Sequence, residues 1–179
     1  MFSITQESVP VDSLLKTFHG GARPELWEHQ GDCFSVTVNR PVSLAEFVRE
    51  FYSSPVFRVE RFLLRLVAGS PSTDAQVRAV AEGVGESLAV WRVGARTETQ
   101  LLMCDRFERT RSWFRVFPLG PGQTRLQFGS AVATRRNPET GSPVVRGGFQ
   151  LLMRFHVLYS QILLNAAKRR VNRCLAHQA

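Results

Sequence analysis

The chain has 179 residues, of which 44% are hydrophobic and 21% are charged, and this balance excludes an intrinsically disordered chain. Its length suits a single domain over residues 1–179 with a sizeable buried core. The net charge of +8 comes almost wholly from arginine. Such a charge permits an anionic partner, either nucleic acid or a membrane surface, and it equally suits a GC-rich bacterial genome that encodes arginine where others encode lysine.

The cysteines and the hydropathy pattern predict a cytoplasmic protein. Cys33, Cys104 and Cys174 are far apart and odd in number, which argues against a disulfide framework and favours reduced thiols. The first ten residues lack the basic and apolar regions of a signal peptide. The most apolar stretch, Phe149 to Ala167, contains Arg154 and is too polar to span a lipid bilayer.

The sequence predicts no metal ion and no cofactor. The four histidines are His19, His29, His156 and His177, and none has a ligand partner at helical spacing. The glycine pairs of the chain predict turns, because they fit neither the phosphate-binding nor the dinucleotide-binding fingerprints.

The first half of the chain predicts an arm, one strand and several helices. Residues 1–30 are poorly patterned and should form an N-terminal arm with one short amphipathic helical turn. From Asp32 to Arg40 the side chains alternate, which predicts a half-buried strand with Phe34, Val36 and Val38 inward. Helices should then begin at two capping boxes, Ser43–Glu46 and Thr73–Gln76, and at Ser54–Pro55 between them.

The second half of the chain predicts four strands and one long helix. The strand-like runs are Ser87 to Val93, Thr97 to Asp105, Glu108 to Pro118 and Thr124 to Val132, with a weak turn at Gly94–Ala95. The helix should run from about Gly148 to Leu175, apolar nearly all round at first and basic at its end. This order predicts an α+β fold in which an antiparallel sheet of five or more strands wraps the C-terminal helix.

Alternation within the last two runs predicts which side chains face that helix. Phe114, Leu126, Phe128 and Ser130 should point toward it, because the opposite register would bury several arginines. The residues expected to point away are Arg109, Arg111, Arg115 and Arg125, with Trp113 and Phe117 between them. A basic face with aromatics is one way to bind single-stranded nucleic acid, but no RNA-binding signature accompanies it, so we expect a solvated face and no nucleic acid partner.

Four segments resemble a known superfamily: Arg96–Thr99, Arg111–Phe114, Thr124–Val132 and Phe155–Ser160. Together with the order of elements from about Asp32 to Leu175, they are similar to a bacterial branch of the helix-grip superfamily. This superfamily contains START-like lipid-transfer domains, birch-pollen-allergen-like proteins and aromatic polyketide cyclases. The resemblance implies more strands than the sequence reveals, and a cavity between sheet and helix for an apolar or aromatic small molecule.

Candidate site residues follow from that implied cavity. The residues expected to line it are Trp91, Met103, Ser112, Phe114, Phe128, Ser130, Phe155, His156 and Tyr159. His156, on the long helix, and Asp105, at a strand end, are the candidates for acid–base chemistry. The sequence favours helix packing over chemistry for His156, and it favours an ion pair across the hairpin for Asp105.

Three functions remain open at this stage. The first is a binding protein for a small apolar or aromatic molecule, with a few polar anchors in the cavity. The second is an enzyme of cyclase or dehydratase type that uses the same cavity, and the third is an interaction protein with a filled core. The C-terminal helix has more apolar surface than one sheet can cover, so a homodimer is also expected unless the earlier helices cover the remainder.

Overall fold

The computed structural model describes residues 4–18, 27–59, 72–107, 109–135 and 149–173, with the backbone alone at 27–30, 133–135 and 149–156. The strands are β1 Thr5–Glu7, β2 Trp27–Val38, β3 Ser87–Leu88, β4 Trp91–Arg96, β5 Gln100–Asp105, β6 Thr110–Gly120 and β7 Gln123–Arg135. The helices are α1 Leu14–Thr17, α2 Leu44–Tyr52, α3 Asp74–Glu82 and α4 Phe149–Arg173, and residues 55–59 are also helical.

These strands form one antiparallel sheet in the order β1-β2-β7-β6-β5-β4-β3, with α4 across one face. The predicted α+β, helix-grip architecture with five or more strands is therefore confirmed. The face of the sheet that contacts α4 is called the inner face below. Residues 174 and 175 of the predicted helix lie outside the described ranges.

The inner face holds an aromatic core between the sheet and the helices α2 and α4. Phe47 and Phe51 of α2 lie over Phe114, with ring centroids 5.7 and 4.8 Å away, and Phe51 is 4.7 Å from Phe128. Leu164 of α4 is fully buried in the same cluster. The predicted register is therefore correct, since Phe114 and Phe128 point toward α4.

Both predicted capping boxes stand at the start of a helix, but only one of them forms both of its expected hydrogen bonds. Thr73 accepts the Gln76 N–H, and the Gln76 side chain accepts the Thr73 N–H. At α2, Ser43 accepts the Glu46 N–H as expected. The Glu46 carboxylate pairs instead with Arg40. Arg40 also donates to the Val171 carbonyl of α4 at 2.9 Å, so this arginine joins the start of α2 to the end of α4.

The strand boundaries before β5 differ from the sequence prediction. The run from Ser87 to Val93 divides into β3 and β4, with Ala89 between them at φ 54°. The predicted turn at Gly94–Ala95 is wrong, because both residues lie inside β4, where the register shifts against β5. Gly94 is needed there for close packing, since a Cβ atom on it would lie 2.8 Å from the Cys104 sulfur.

The opposite face of the sheet, called the outer face, is covered by the N-terminal arm. Val9, Leu14 and Phe18 of the arm pack against a second cluster, whose buried members are Leu15, Cys33, Leu102, Cys104, Trp113 and Ala131. Strand β1, which the sequence pattern did not predict, also pairs with β2. Burial raises the pKa of the Cys33 thiol to about 12, with the charges of Glu7 and Asp32 adding to the effect.

Because the N-terminal arm packs on the outer face, the expectation of a solvated basic face is wrong. Trp113 has no exposed surface and Arg111 has 6%. Arg111 donates to the Phe18 carbonyl at 3.1 Å, and its guanidinium lies over the Phe18 ring. Arg115 forms two hydrogen bonds with the Asp12 carboxylate, at 2.9 and 3.1 Å. The register and the existence of an N-terminal arm were predicted correctly, but the packing of that arm over Arg111 and Arg115 was not.

Candidate functional site

A cavity of about 200 Å³ lies on the inner face, where the sheet, α2 and α4 meet. Its apolar walls come from Phe51, Tyr52, Phe57, Trp91, Phe128 and Leu163. Its polar side chains are those of Thr110, Ser112, Ser130, Tyr159 and Ser160. Since an apolar cavity of about 150 Å³ is enough to hold benzene, this volume suits a molecule of one or two rings.

Ser112 and Ser130 belong to a row of polar side chains that crosses three neighbouring strands. Asp32 of β2 lies opposite Ser130 of β7, and Ser130 lies opposite Ser112 of β6. Since side chains of directly opposed residues project on the same face of a sheet, the row ends in the cavity at Ser112. Ser160 of α4 reaches the row from above, with its hydroxyl 3.5 Å from that of Ser130.

Asp32 orients the Ser130 hydroxyl. The Ser130 O–H donates to Asp32 Oδ1 at 2.7 Å, and the Ser130 N–H donates to the same oxygen at 3.3 Å. Because a carboxylate only accepts hydrogen bonds, the proton of Ser130 is directed to Asp32. The Ser130 oxygen therefore serves the cavity as an acceptor.

Two buried polar atoms of the inner face have no hydrogen-bond partner within the part of the chain that the structure describes. They are Asp32 Oδ2, on a side chain that is 9% exposed, and the indole Nε1 of Trp91. An unsatisfied buried donor or acceptor costs about 1–3 kcal/mol. Such atoms are uncommon in folded proteins. They are not confined to the inner face, since Arg115 Nε on the outer face also lacks a hydrogen bond to the described residues.

Five of the nine predicted ligand-binding residues line this cavity: Trp91, Ser112, Phe128, Ser130 and Tyr159. Met103 and Phe114 do not line it, because both are fully buried in the core between sheet and helices. The side chains of Phe155 and His156 lie outside the described residues. That these residues bind a ligand, and that His156 acts as an acid or base, stays a prediction.

Asp105 stands at the β5–β6 turn, and it is not among the residues that line the cavity. Its carboxylate accepts the N–H groups of Phe107 and Arg109, both at 2.9 Å, and the Thr110 hydroxyl at 3.0 Å. These bonds replace the expected ion pair across the hairpin. They give Asp105 a structural role in closing the turn, which does not favour it as a catalytic residue.

The sequence prediction missed Asp32 and Ser160. A signal for Asp32 was present, because it shares the alternation of Phe34, Val36 and Val38 and is a charged residue directly before that inward set. Ser160 carried no such signal, since its role depends on how α4 is rotated over the sheet.

Among the described residues, no group of three or more His, Cys, Asp or Glu side chains is placed to hold a metal ion. In the same part of the chain, no helix is long and apolar enough to cross a membrane. On α4, Leu158 and Ile162 remain 55% and 44% exposed. The predicted homodimer would cover such residues, and light scattering against the chain mass of 20.2 kDa would test it.

Comparison with known proteins shows only weak structural likeness. No protein-family model matches the chain, and no curated protein matches it. Among solved structures, it is similar to the Zhui aromatase/cyclase from Streptomyces sp. R1128. The TM-score is 0.37 and the identity 14%, over 83% of this chain and 96% of the other. At this level of similarity no residue role can be transferred.

Proposed function

We propose that the protein binds a small apolar or aromatic molecule that carries one hydrogen-bonding group, in the cavity between the sheet and α4. The observation that carries the proposal is an apolar, ring-sized cavity with hydroxyl groups on its edge. Apolar walls with a few convergent polar groups are the usual composition of a small-molecule site.

The polar row defines the hydrogen bonds that such a ligand would make. Ser130 offers an acceptor because its proton is directed to Asp32. Trp91 offers an N–H donor that has no partner among the residues that the structure describes. A small rotation of the Trp91 side chain toward a ligand oxygen would satisfy this donor, whose burial costs about 1–3 kcal/mol when unsatisfied.

Filling the cavity tests the proposal directly. Ser112 lines it from β6, so Ser112→Phe places a ring in the space that a ligand would occupy, and Phe is well tolerated in strands. We expect the wild type to bind 2-naphthol and Ser112→Phe to bind it at least about tenfold more weakly, measured by isothermal titration calorimetry. Ser112→Ala, which removes the hydroxyl without filling the space, should retain binding within about tenfold.

A matched pair of ligands tests the polar row. The wild type should prefer 2-naphthol to 2-methylnaphthalene, which has similar shape but no hydrogen-bonding group. Equal affinity of Ser112→Phe and the wild type for 2-naphthol would contradict binding in this cavity. Recovery of the bound molecule chemically unchanged would distinguish binding from the cyclase or dehydratase alternative.

A further inference from the structure

Two hydroxyl groups on the edge of the inner-face cavity have their protons fixed by carboxylates. The Thr110 hydroxyl donates to Asp105 Oδ2 at 3.0 Å, and the Ser130 hydroxyl donates to Asp32 Oδ1 at 2.7 Å. Because a carboxylate only accepts hydrogen bonds, neither proton is available to a ligand. Thr110 and Ser130 both line the cavity, so each hydroxyl can offer a ligand only an acceptor oxygen.

Trp91 supplies the opposite function, that of a donor. It lines the same cavity, and its buried indole N–H has no hydrogen-bond partner among the described residues. An indole N–H can only donate, so it requires an acceptor atom on the ligand. The Ser112 hydroxyl can rotate to donate or to accept, so it adapts to either kind of ligand. A single ligand group that satisfies Trp91 and the fixed acceptors must therefore both donate and accept.

The pairing of the strands places the donor and a fixed acceptor at the same end of the cavity. Trp91 of β4 lies opposite Asp105 of β5, and the Asp105 carboxylate binds the Thr110 hydroxyl of β6. Thr110 lies two positions before Ser112 on β6, so both side chains project on the inner face. Trp91 and Thr110 therefore flank one carboxylate, on the two sides of β5.

Negative charge beside the cavity is not neutralised by an ion pair. None of the ion pairs among the described residues includes Asp32 or Asp105. Arg111 also lines the cavity, but its guanidinium lies on the outer face, over a ring of the N-terminal arm. Arg106 and Arg109 of the β5–β6 turn are exposed to solvent. Since charges interact strongly where water is excluded, the two carboxylates would repel an anionic ligand.

We propose that the polar group of the ligand is a neutral hydroxyl, as in an aromatic alcohol or phenol, and that the cavity disfavours ionised carboxylic acids. This inference rests on the proposed function and names the chemical class of its ligand. The ligand O–H would donate to Thr110 or Ser130, and the ligand oxygen would accept from the Trp91 N–H. An ether lacks the proton, an ammonium group lacks the acceptor, and a carboxylate lacks the proton and adds a repelled charge.

Calorimetry of the full chain at pH 7 with 2-naphthol, 2-methoxynaphthalene and 2-naphthoate tests the inference, since a phenol is neutral there and a carboxylic acid is ionised. 2-Naphthol should bind at least about fivefold more tightly than the ether, because the ether leaves the acceptors without a donor. It should bind at least about tenfold more tightly than 2-naphthoate, whose charge would be buried beside carboxylates. 2-Ethylnaphthalene, which has the shape of the ether, corrects for the added methyl group.

Asp32→Asn tests the role of charge, because it removes the charge and keeps an acceptor oxygen for Ser130. It should narrow the preference for 2-naphthol over 2-naphthoate by about fivefold or more, through a gain in 2-naphthoate affinity that partial unfolding cannot produce. The control is Glu98→Gln, which removes the same charge from an exposed residue between β4 and β5 that does not line the cavity. It should change the preference by less than about twofold. Equal changes in the two variants would overturn the role of Asp32.

Trp91→Phe tests the donor, because it removes the N–H and keeps an aromatic ring. It should weaken 2-naphthol binding by about threefold or more beyond its effect on 2-methylnaphthalene, which cannot use the N–H. Equal losses for these two compounds would overturn the role of the donor.

The wild type alone decides between the ligand classes. Binding of 2-naphthoate, or of 2-naphthylmethylammonium, as tight as that of 2-naphthol would overturn the inference. The proposed function would still stand in that case if Ser112→Phe weakened binding of all these compounds. Absence of binding by every naphthalene compound would overturn the proposed function and this inference together.

Discussion

The two faces of the sheet are both buried, but their polar groups are used differently. On the outer face Gln100 accepts hydrogen bonds from the Leu14 N–H, at 3.0 Å, and from the Trp113 indole N–H, at 2.8 Å. On the inner face the Trp91 indole N–H and Asp32 Oδ2 have no hydrogen-bond partner among the described residues, and Trp91 lines the cavity. The comparison supports a stabilising role for the N-terminal arm, and it leaves the inner face as the place where we propose that a ligand binds.

The largest loss of stability is expected when Trp113 on the outer face is substituted. Trp113 is fully buried, and Gly129 allows its ring to lie close, since a Cβ atom there would be 2.9 Å from the ring. Trp113→Ala should lower the free energy of unfolding by about 3–5 kcal/mol, measured by urea denaturation. Trp113→Phe, which retains most of the ring but loses the bond to Gln100, should cost less.

If the two faces have separate roles, folded Trp113→Phe should bind 2-naphthol within about twofold of the wild type. A loss of stability below about 1 kcal/mol in Trp113→Ala would show that the arm does not stabilise the sheet.

A smaller loss of stability is expected when Asp32 on the inner face is substituted. Asp32→Ala leaves the Ser130 N–H and hydroxyl without their acceptor, so it should cost about 1–3 kcal/mol of unfolding free energy. Asp32→Asn keeps an acceptor oxygen at that position and should cost less. Equal stability of Asp32→Ala and the wild type would show that this contact does not hold the polar row in place.

The smallest effect on stability is expected from the ion pair of Asp12, in the N-terminal arm, with Arg115. Hydrogen bonds from Arg115 hold the pKa of the Asp12 carboxyl below its usual value. Because the folded pKa is lowered, the stabilisation is present at neutral pH and is lost as the pH falls through the range where Asp12 becomes protonated. The effect is small because the Asp12 side chain is 60% exposed.

Urea midpoints between pH 7 and pH 3 measure this effect. The wild type should be slightly more stable than Asp12→Asn at pH 7, and the two should converge at low pH. A difference between them that stays constant with pH would contradict an ionic contribution from this pair.

Sequence patterns predicted the inner residues of β6 and β7 well, because those residues alternate without interruption from Thr110 to Val116 and from Thr124 to Val132. Phe114, Leu126 and Phe128 were placed correctly, since burying the arginines of the opposite register is costly. The same patterns could not show that Leu14 and Phe18 return to cover the outer face. That packing depends on the pairing of the short strand β1 with β2 and on a short helix, and neither has a strong sequence pattern. Trp113 was therefore expected at the surface and is found in a core.

The candidate site was predicted only in part for a related reason. The alternation of side chains predicts on which face of the sheet Ser112 and Ser130 lie. It does not predict whether other side chains fill the space in front of them. Met103 and Phe114 share that face and are packed tightly in the core. Tyr159 and Ser160 line the cavity because of the way α4 is rotated about its axis. The sequence does not predict this rotation, because α4 is apolar nearly all round and has no clear polar stripe.

Analysis of the small molecules that remain bound after purification under native conditions tests the central claim most directly. Mass spectrometry of solvent extracts would compare the wild type, Ser112→Ala and Ser112→Phe. We predict a small apolar or aromatic molecule in the first two extracts and its loss from the third. The same molecule at the same level in all three extracts would contradict a binding site in the inner-face cavity.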